Sequence, residues 1–132
     1  MSLHLTACPE TEHFIDVAAI EKMKDGAVLI NTARGPLVNN SALIDALESG
    51  KLSGAGLDVF DGDRLIYYRD FKNQLIAQRQ MAILNAMPNV LMLPHMAYYT
   101  DQAVEDMVRN SLDGAARYLN GEEDPWLIGE KV

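Results

Sequence analysis

Cysteine is nearly missing: Cys8 stands alone among 132 residues. A single thiol excludes an intrachain disulfide framework and suits a reducing compartment. Cys8 itself reads as a small buried or half-buried side chain. Basic residues are also few. Eleven Lys and Arg face nineteen Asp and Glu, a formal net charge of −8. With no basic cluster, a surface that tracks nucleic-acid phosphates is excluded. No apolar run approaches the roughly 20 residues of a membrane span. The opening MSLHLTACPE lacks a basic segment followed by an apolar one, so no signal peptide is expected and the expected location is the cytoplasm. His4, His13 and His95 lack ligand spacing, so no metal site is expected. No G-x-S-x-G nucleophile elbow occurs.

What is present is alternation. Ser2–Leu5 reads as a short strand, broken by Cys8-Pro-Glu-Thr11. Asp16 caps a helix over Val17–Lys24, closed by Gly26. Ala27-Val-Leu-Ile-Asn31 is a continuous apolar run, as in a strand buried on both faces. A helix over Ser41–Ser49 follows, then a strand over Ala55–Phe60. Asp61–Met87 reads as a turn and a long helical stretch. Asn89–Leu93 is a fourth strand, and a last helix starts at Thr100 or Asp101 and ends near Asn120 before Gly121. In the tail, Pro125-Trp126 reads as a docking point. Strands alternating with helices imply a parallel sheet with right-handed crossovers. A one-way progression of strands leaves one sheet face without helices, so the chain reads as half of a doubly wound α/β domain.

In open α/β sheets, ligands lie beyond the carboxyl ends of the strands. Arg34, Asp58, Asp63 and His95 fall at those ends. Arg34 offers a planar fork for a carboxylate. A histidine beside a carboxylate favours its protonated form and can deliver that proton to a developing alkoxide. Carboxylate binding plus proton transfer to an adjacent oxygen suits a 2-oxo acid becoming a 2-hydroxy acid, with a nicotinamide as hydride donor.

Four stretches, SLHL…PET, INTARGPLV, GAGLDVF and MPNVLMLPHMAYYT, together resemble the D-isomer-specific 2-hydroxyacid dehydrogenases, and most closely their D-lactate dehydrogenase branch. The resemblance runs in order over nearly the whole chain and covers the family's C-terminal portion. It implies the second half of a Rossmann-like parallel sheet of about four strands, with a long C-terminal helix. Residues 1–100 would be the C-terminal half of the NAD-binding domain, and residues 101–132 would pack on a separate substrate domain. It implies Arg34 as the grip on the substrate carboxylate, His95 as acid/base and Asp63 as its acidic partner. Leu5, Thr6, Thr11, Thr32 and Ala33, with Arg34, would line the NAD site. Asp58 would contact its nicotinamide side, and Tyr98 would lie near the substrate. The implied substrate is a small 2-oxo or 2-hydroxy acid, and the implied assembly of the full-length family is a homodimer.

Two departures stand out. Asp63 occupies a position where the family usually has glutamate. Its side chain is shorter by about 1.5 Å, against a catalytic tolerance of about 0.5 Å. The turn must move inward, or the partnership with His95 weakens and the rate optimum falls to lower pH. The second departure is the missing G-x-G-x-x-G fingerprint and the acidic residue that follows it. Gly54-Ala-Gly56 precedes the predicted third strand and reads as a tight connection. Two readings follow: part of an NAD-dependent dehydrogenase, or a catalytically incomplete dinucleotide-binding or interaction module derived from one.

Overall fold

Four parallel strands pair in chain order: β1 (Ser2–Leu3), β2 (Ala27–Asn31), β3 (Leu52–Leu57) and β4 (Val90–Met92). The computed structural model describes residues 1–67 and 69–125. The proposed docking point at Trp126 lies outside the described residues. The chain divides into two compact units, Met1–Met96 and Ala97–Val132.

In the first unit, α1 (Val17–Glu21), α2 (Asn40–Glu48) and α3 (Arg79–Ala86) connect the strands. Asp16 and Asn39 cap the first two, accepting the Ala19 and Ala42 N–H groups at 2.8 and 3.0 Å. Register decides which strand residues are buried. Leu29 pairs with Ala55, which pairs with Val90, and Asn31 pairs with Leu57, which pairs with Met92. This set faces a core built with Ile20, Leu43, Leu47 and Leu84 of the helices. The alternate residues point the other way, and there Val28 and Leu91 are 45% and 63% exposed. One sheet face is therefore covered and the other open, as the one-way strand order requires.

The third strand begins three residues earlier than the sequence pattern suggests, which brings Gly54 inside it together with Gly56. Both are close-approach glycines. A Cβ on Gly54 would meet the Asn89 carbonyl oxygen at 2.8 Å, and one on Gly56 would meet Ile30 Cδ1 at 2.9 Å. The long helical stretch expected after Asp61 shrinks to a 3₁₀ turn, Asp63–Leu65, and α3. Between them, Asp70 Oδ1 accepts the Lys72 N–H at 3.0 Å and Asn73 takes a left-handed φ of 61°. Both features favour turns over helix. The first helix also stops early, at Glu21. Cys8 is exposed rather than buried, because it caps the Pro9–Thr11 turn at the surface.

The second unit contains α4 (Asp101–Asn120). Thr100 Oγ1 accepts the Ala103 N–H, and Gly121 ends the helix with φ of 69°. Among the described residues, no helix is long and apolar enough to cross a membrane.

The register makes a sharp contrast between neighbours. Leu29→Ala should cost about 2–5 kcal/mol, whereas Val28→Ala should cost less than about 1 kcal/mol. Equilibrium urea denaturation of the two variants measures the difference.

Candidate active site

Three loops meet beyond the carboxyl ends of β2, β3 and β4. The first is shaped by Asn31, the buried last residue of β2. Its Oδ1 accepts the Ala33 N–H at 3.1 Å, and its Nδ2 donates to the Arg34 carbonyl at 2.9 Å. One side chain thus folds Thr32–Arg34 back over the strand end. Next, Gly35 lies against the backbone of the second loop. A Cβ there would fall 2.1 Å from the Phe60 carbonyl oxygen and 2.7 Å from the Asp61 nitrogen. Only glycine permits that approach, which sets the loop of Arg34 beside the turn that bears Asp63.

That turn, Asp61-Gly62-Asp63, is closed by the Asp63 N–H donating to the Phe60 carbonyl at 3.0 Å, with Gly62 at φ of 97°. The Asp63 carbonyl accepts N–H groups of Ile66 and Tyr67 at 2.9 and 2.7 Å. The third loop leaves β4 through Pro94. His95 takes a left-handed φ of 57°, a conformation costing about 1–3 kcal/mol in a non-glycine residue. Asp58 holds it on both sides. Its carbonyl accepts the His95 N–H at 2.8 Å, and its buried carboxylate accepts the Met96 N–H at 2.7 Å. An ionised acceptor makes the second bond a strong one.

The result is an imidazole aimed at a carboxylate. His95 Nδ1 lies 3.6 Å from Asp63 Oδ2, with side chains 32% and 10% exposed. The separation is an ion-pair contact, slightly longer than a hydrogen bond. Both residues, with Thr6, Arg34, Asp61 and Arg64, line a cavity of about 560 Å³. Asp61 has its own imidazole, His13 Nε2 at 3.5 Å. Tyr67 sits behind the pair, and its phenol donates to the Leu93 carbonyl at 3.4 Å. Burial, with the Asp63 and Asp58 carboxylates adding, pushes that phenol up from its ordinary range.

A second groove of about 260 Å³ joins the ends of β1 and β2, lined by His4, Leu5, Thr6, Ala33 and Arg34. Thr11 supports it from behind, its hydroxyl donating to the Thr6 carbonyl at 2.8 Å. Of the residues singled out in the sequence, Arg34, Asp63 and His95 share the larger cavity, and Leu5, Thr6, Ala33 and Arg34 share the groove. Thr32 is exposed on the same loop. Asp58 lies beneath His95 and lines neither space. Tyr98 belongs to the second unit, where its ring meets Tyr99 edge-on at 6.1 Å. Sequence reasoning missed Asn31, Gly35 and Asn40 as site-building residues. A polar residue closing the apolar run Ala27–Asn31 was the one available signal.

Residues 1–97 match the family described as D-isomer specific 2-hydroxyacid dehydrogenase, NAD binding domain. The chain is 41% identical over 123 residues to a D-specific alpha-keto acid dehydrogenase of Enterococcus faecium, covering 93% of the chain and 38% of that relative. It is similar to the crystal structure of a Treponema pallidum D-lactate dehydrogenase, with 40% identity, a TM-score of 0.89 and coverage of 94% and 38%. It is also similar to a Lactobacillus jensenii D-lactate dehydrogenase solved with NAD+, with 35% identity, a TM-score of 0.90 and coverage of 98% and 39%. The chain therefore spans about two fifths of the length of these relatives.

Gly35→Ala should destabilise the first unit by about 1–3 kcal/mol or more, since the colliding atoms are backbone. Urea denaturation gives the cost. Amide chemical shifts should show the disturbance centred on Phe60–Asp63.

Proposed function

Because the chain belongs to the D-isomer-specific 2-hydroxyacid dehydrogenase family through its NAD-binding domain, we propose that it supplies the proton-transfer and carboxylate-binding half of an NAD-dependent reduction of a 2-oxo acid to a D-2-hydroxy acid. The observation that supports this most is the His95–Asp63 pair at the wall of a cavity shared with Arg34.

The imidazolium of His95 would give its proton to the ketone oxygen and recover it in the reverse direction. Asp63 would orient the ring from 3.6 Å. Arg34 would bind the substrate carboxylate and draw electron density from the neighbouring ketone. Its Nη1 donates to the Ala33 carbonyl at 2.7 Å, which ties the guanidinium to the loop. Asp58 keeps the strained His95 in place from beneath the nicotinamide side.

The groove at the ends of β1 and β2 suits part of a dinucleotide. Leu5 and Ala33 offer apolar wall, Thr6 a hydroxyl, and the loop behind is pinned by Thr11. NAD, when bound there, supplies the hydride. A glycine-rich turn for its pyrophosphate is not in this sequence, so these residues would hold the cofactor's nicotinamide and adenosine parts only. The segment from residue 101 onward would pack on a substrate domain of the full-length family. Exposed Met107, Val108 and Leu112 on α4 support that assignment. A single exposed cysteine suits a reducing, cytoplasmic compartment, and the assembly proposed for the full-length family is a homodimer. The competing reading is a dinucleotide-binding or interaction module without catalysis.

A chimera in which this chain replaces the matched segment of the Treponema pallidum D-lactate dehydrogenase separates the two. NADH oxidation with a panel of 2-oxo acids is expected, and His95→Gln should lower kcat by roughly 10²–10⁴-fold. Turnover that His95→Gln leaves intact, or none with any acid, would reject the enzymatic reading. In the active chimera, Asp63→Glu should move the rate optimum to higher pH, because a longer side chain closes the 3.6 Å gap to His95 and stabilises the imidazolium. An unchanged pH–rate profile would mean that the shorter acid is already fully coupled.

A further inference from the structure

Between the Asp63–Leu65 turn and the start of α3 at Arg79, the described residues form no helix or strand. The position of the turn to within about 0.5 Å matters for proton transfer, so something must anchor it on that side. Asn40, on the first turn of α2 and 7% exposed, is placed to do this. Its Nδ2 donates to the Asp61 carbonyl at 3.1 Å and to Gln80 Oε1 at 3.3 Å. Gln80 in turn donates through Nε2 to Ser41 Oγ at 2.9 Å. A chain of three side chains thus ties the Asp61–Asp63 turn to the starts of both α2 and α3. The opposite flank of the turn is held by backbone contact with Gly35.

From this geometry we propose that Asn40 is a positioning residue for the reaction. It acts through the Asp61 carbonyl to keep the Asp63 carboxylate against His95. The assignment rests on His95 as the acid/base. Nothing in the sequence pattern marks Asn40, which falls just before the helix expected over Ser41–Ser49. Its burial sets it apart. An amide enclosed beside two acceptors costs free energy unless both are bonded, so the side chain has one arrangement to adopt.

The test reads His95 directly, by NMR titration of its ring resonances in the 132-residue chain. Its charged surroundings are Asp63, Asp58 through the Met96 amide, and Arg34, Asp61 and Arg64 around the cavity. Tyr67, pushed up by burial, stays a neutral phenol across the histidine's range. Asp63→Asn removes the neighbouring charge and should lower the His95 midpoint. Asn40→Ala should lower it in the same direction while a cooperative melt persists. Asn40→Leu, of similar volume but without donors, should do the same. Should both Asn40 variants fail to fold, Gln80→Ala removes one acceptor of the network from a less buried residue and should give a smaller shift. In the chimera, Asn40→Ala should reduce kcat about 10- to 100-fold with little change in KM. A folded Asn40 variant with an unmoved His95 curve overturns the proposal, as does an unmoved curve in Asp63→Asn. An inactive chimera with the titration shifts intact would count against the enzymatic reading alone, and leave the positioning role standing.

Discussion

The meeting of Arg34 with the turn that bears Asp63 depends on the contact between Gly35 and the backbone of Phe60 and Asp61. Two loops from neighbouring strands approach so closely that no side-chain carbon fits between them. The contact is steric, so it has no adjustable partner and works at any pH or salt. It sets Arg34 on one side and Asp63 on the other. Were it looser, the guanidinium and the carboxylate would each sit on an independent surface loop, and their separation would be governed by side-chain motion.

The third member of the site is fixed by a different force. His95 sits in a left-handed backbone conformation that its own residue type disfavours, and Asp58 holds it with hydrogen bonds before and after the strained residue. A buried carboxylate is costly to desolvate unless bonded, and here it accepts an amide at the place where the chain must be held. The two hydrogen bonds offset both the strain at His95 and the burial of the Asp58 carboxyl. The imidazole is thereby aimed by the frame of the sheet, while Asp63 approaches it from a turn whose firmness comes from Gly35 and Asn40.

The sheet is covered by helices on one face only. Its helix-covered face buries Leu29, Asn31, Ala55 and Leu57 in register, and its other face leaves Val28 and Leu91 open. The relatives are more than twice as long. Arg34, Asp63 and His95 lie within the 97 residues that match the family's NAD-binding domain. A pyrophosphate turn is not among them.

The alternation of apolar runs with capped helices was enough to read four parallel strands, and β2 and α4 fall where their patterns end. Three elements were misread for local reasons. The start of β3 was misplaced because Gly54 and Gly56 lie inside it, and glycine's weak strand preference hid a strand that needs them for close approach to Asn89 and Ile30. The stretch after Asp63 has helical periodicity, but Asp70 and Asn73 impose turns within it. The first helix stops at Glu21, short of the Gly26 that marks its expected end. Arg34, Asp63 and His95 were legible because reactive side chains at successive strand ends must converge in a parallel sheet. Asn31, Gly35 and Asn40 were not, since each acts by hydrogen bond or steric limit on a segment distant in sequence or on its own loop. By itself the sequence determined the strand order, the edge at which chemistry gathers and the residue types found there, because periodicity and topology are properties of the chain. Only the tertiary structure decided how far apart those residues stand. That distance is set by contacts between loops, and no local pattern records them.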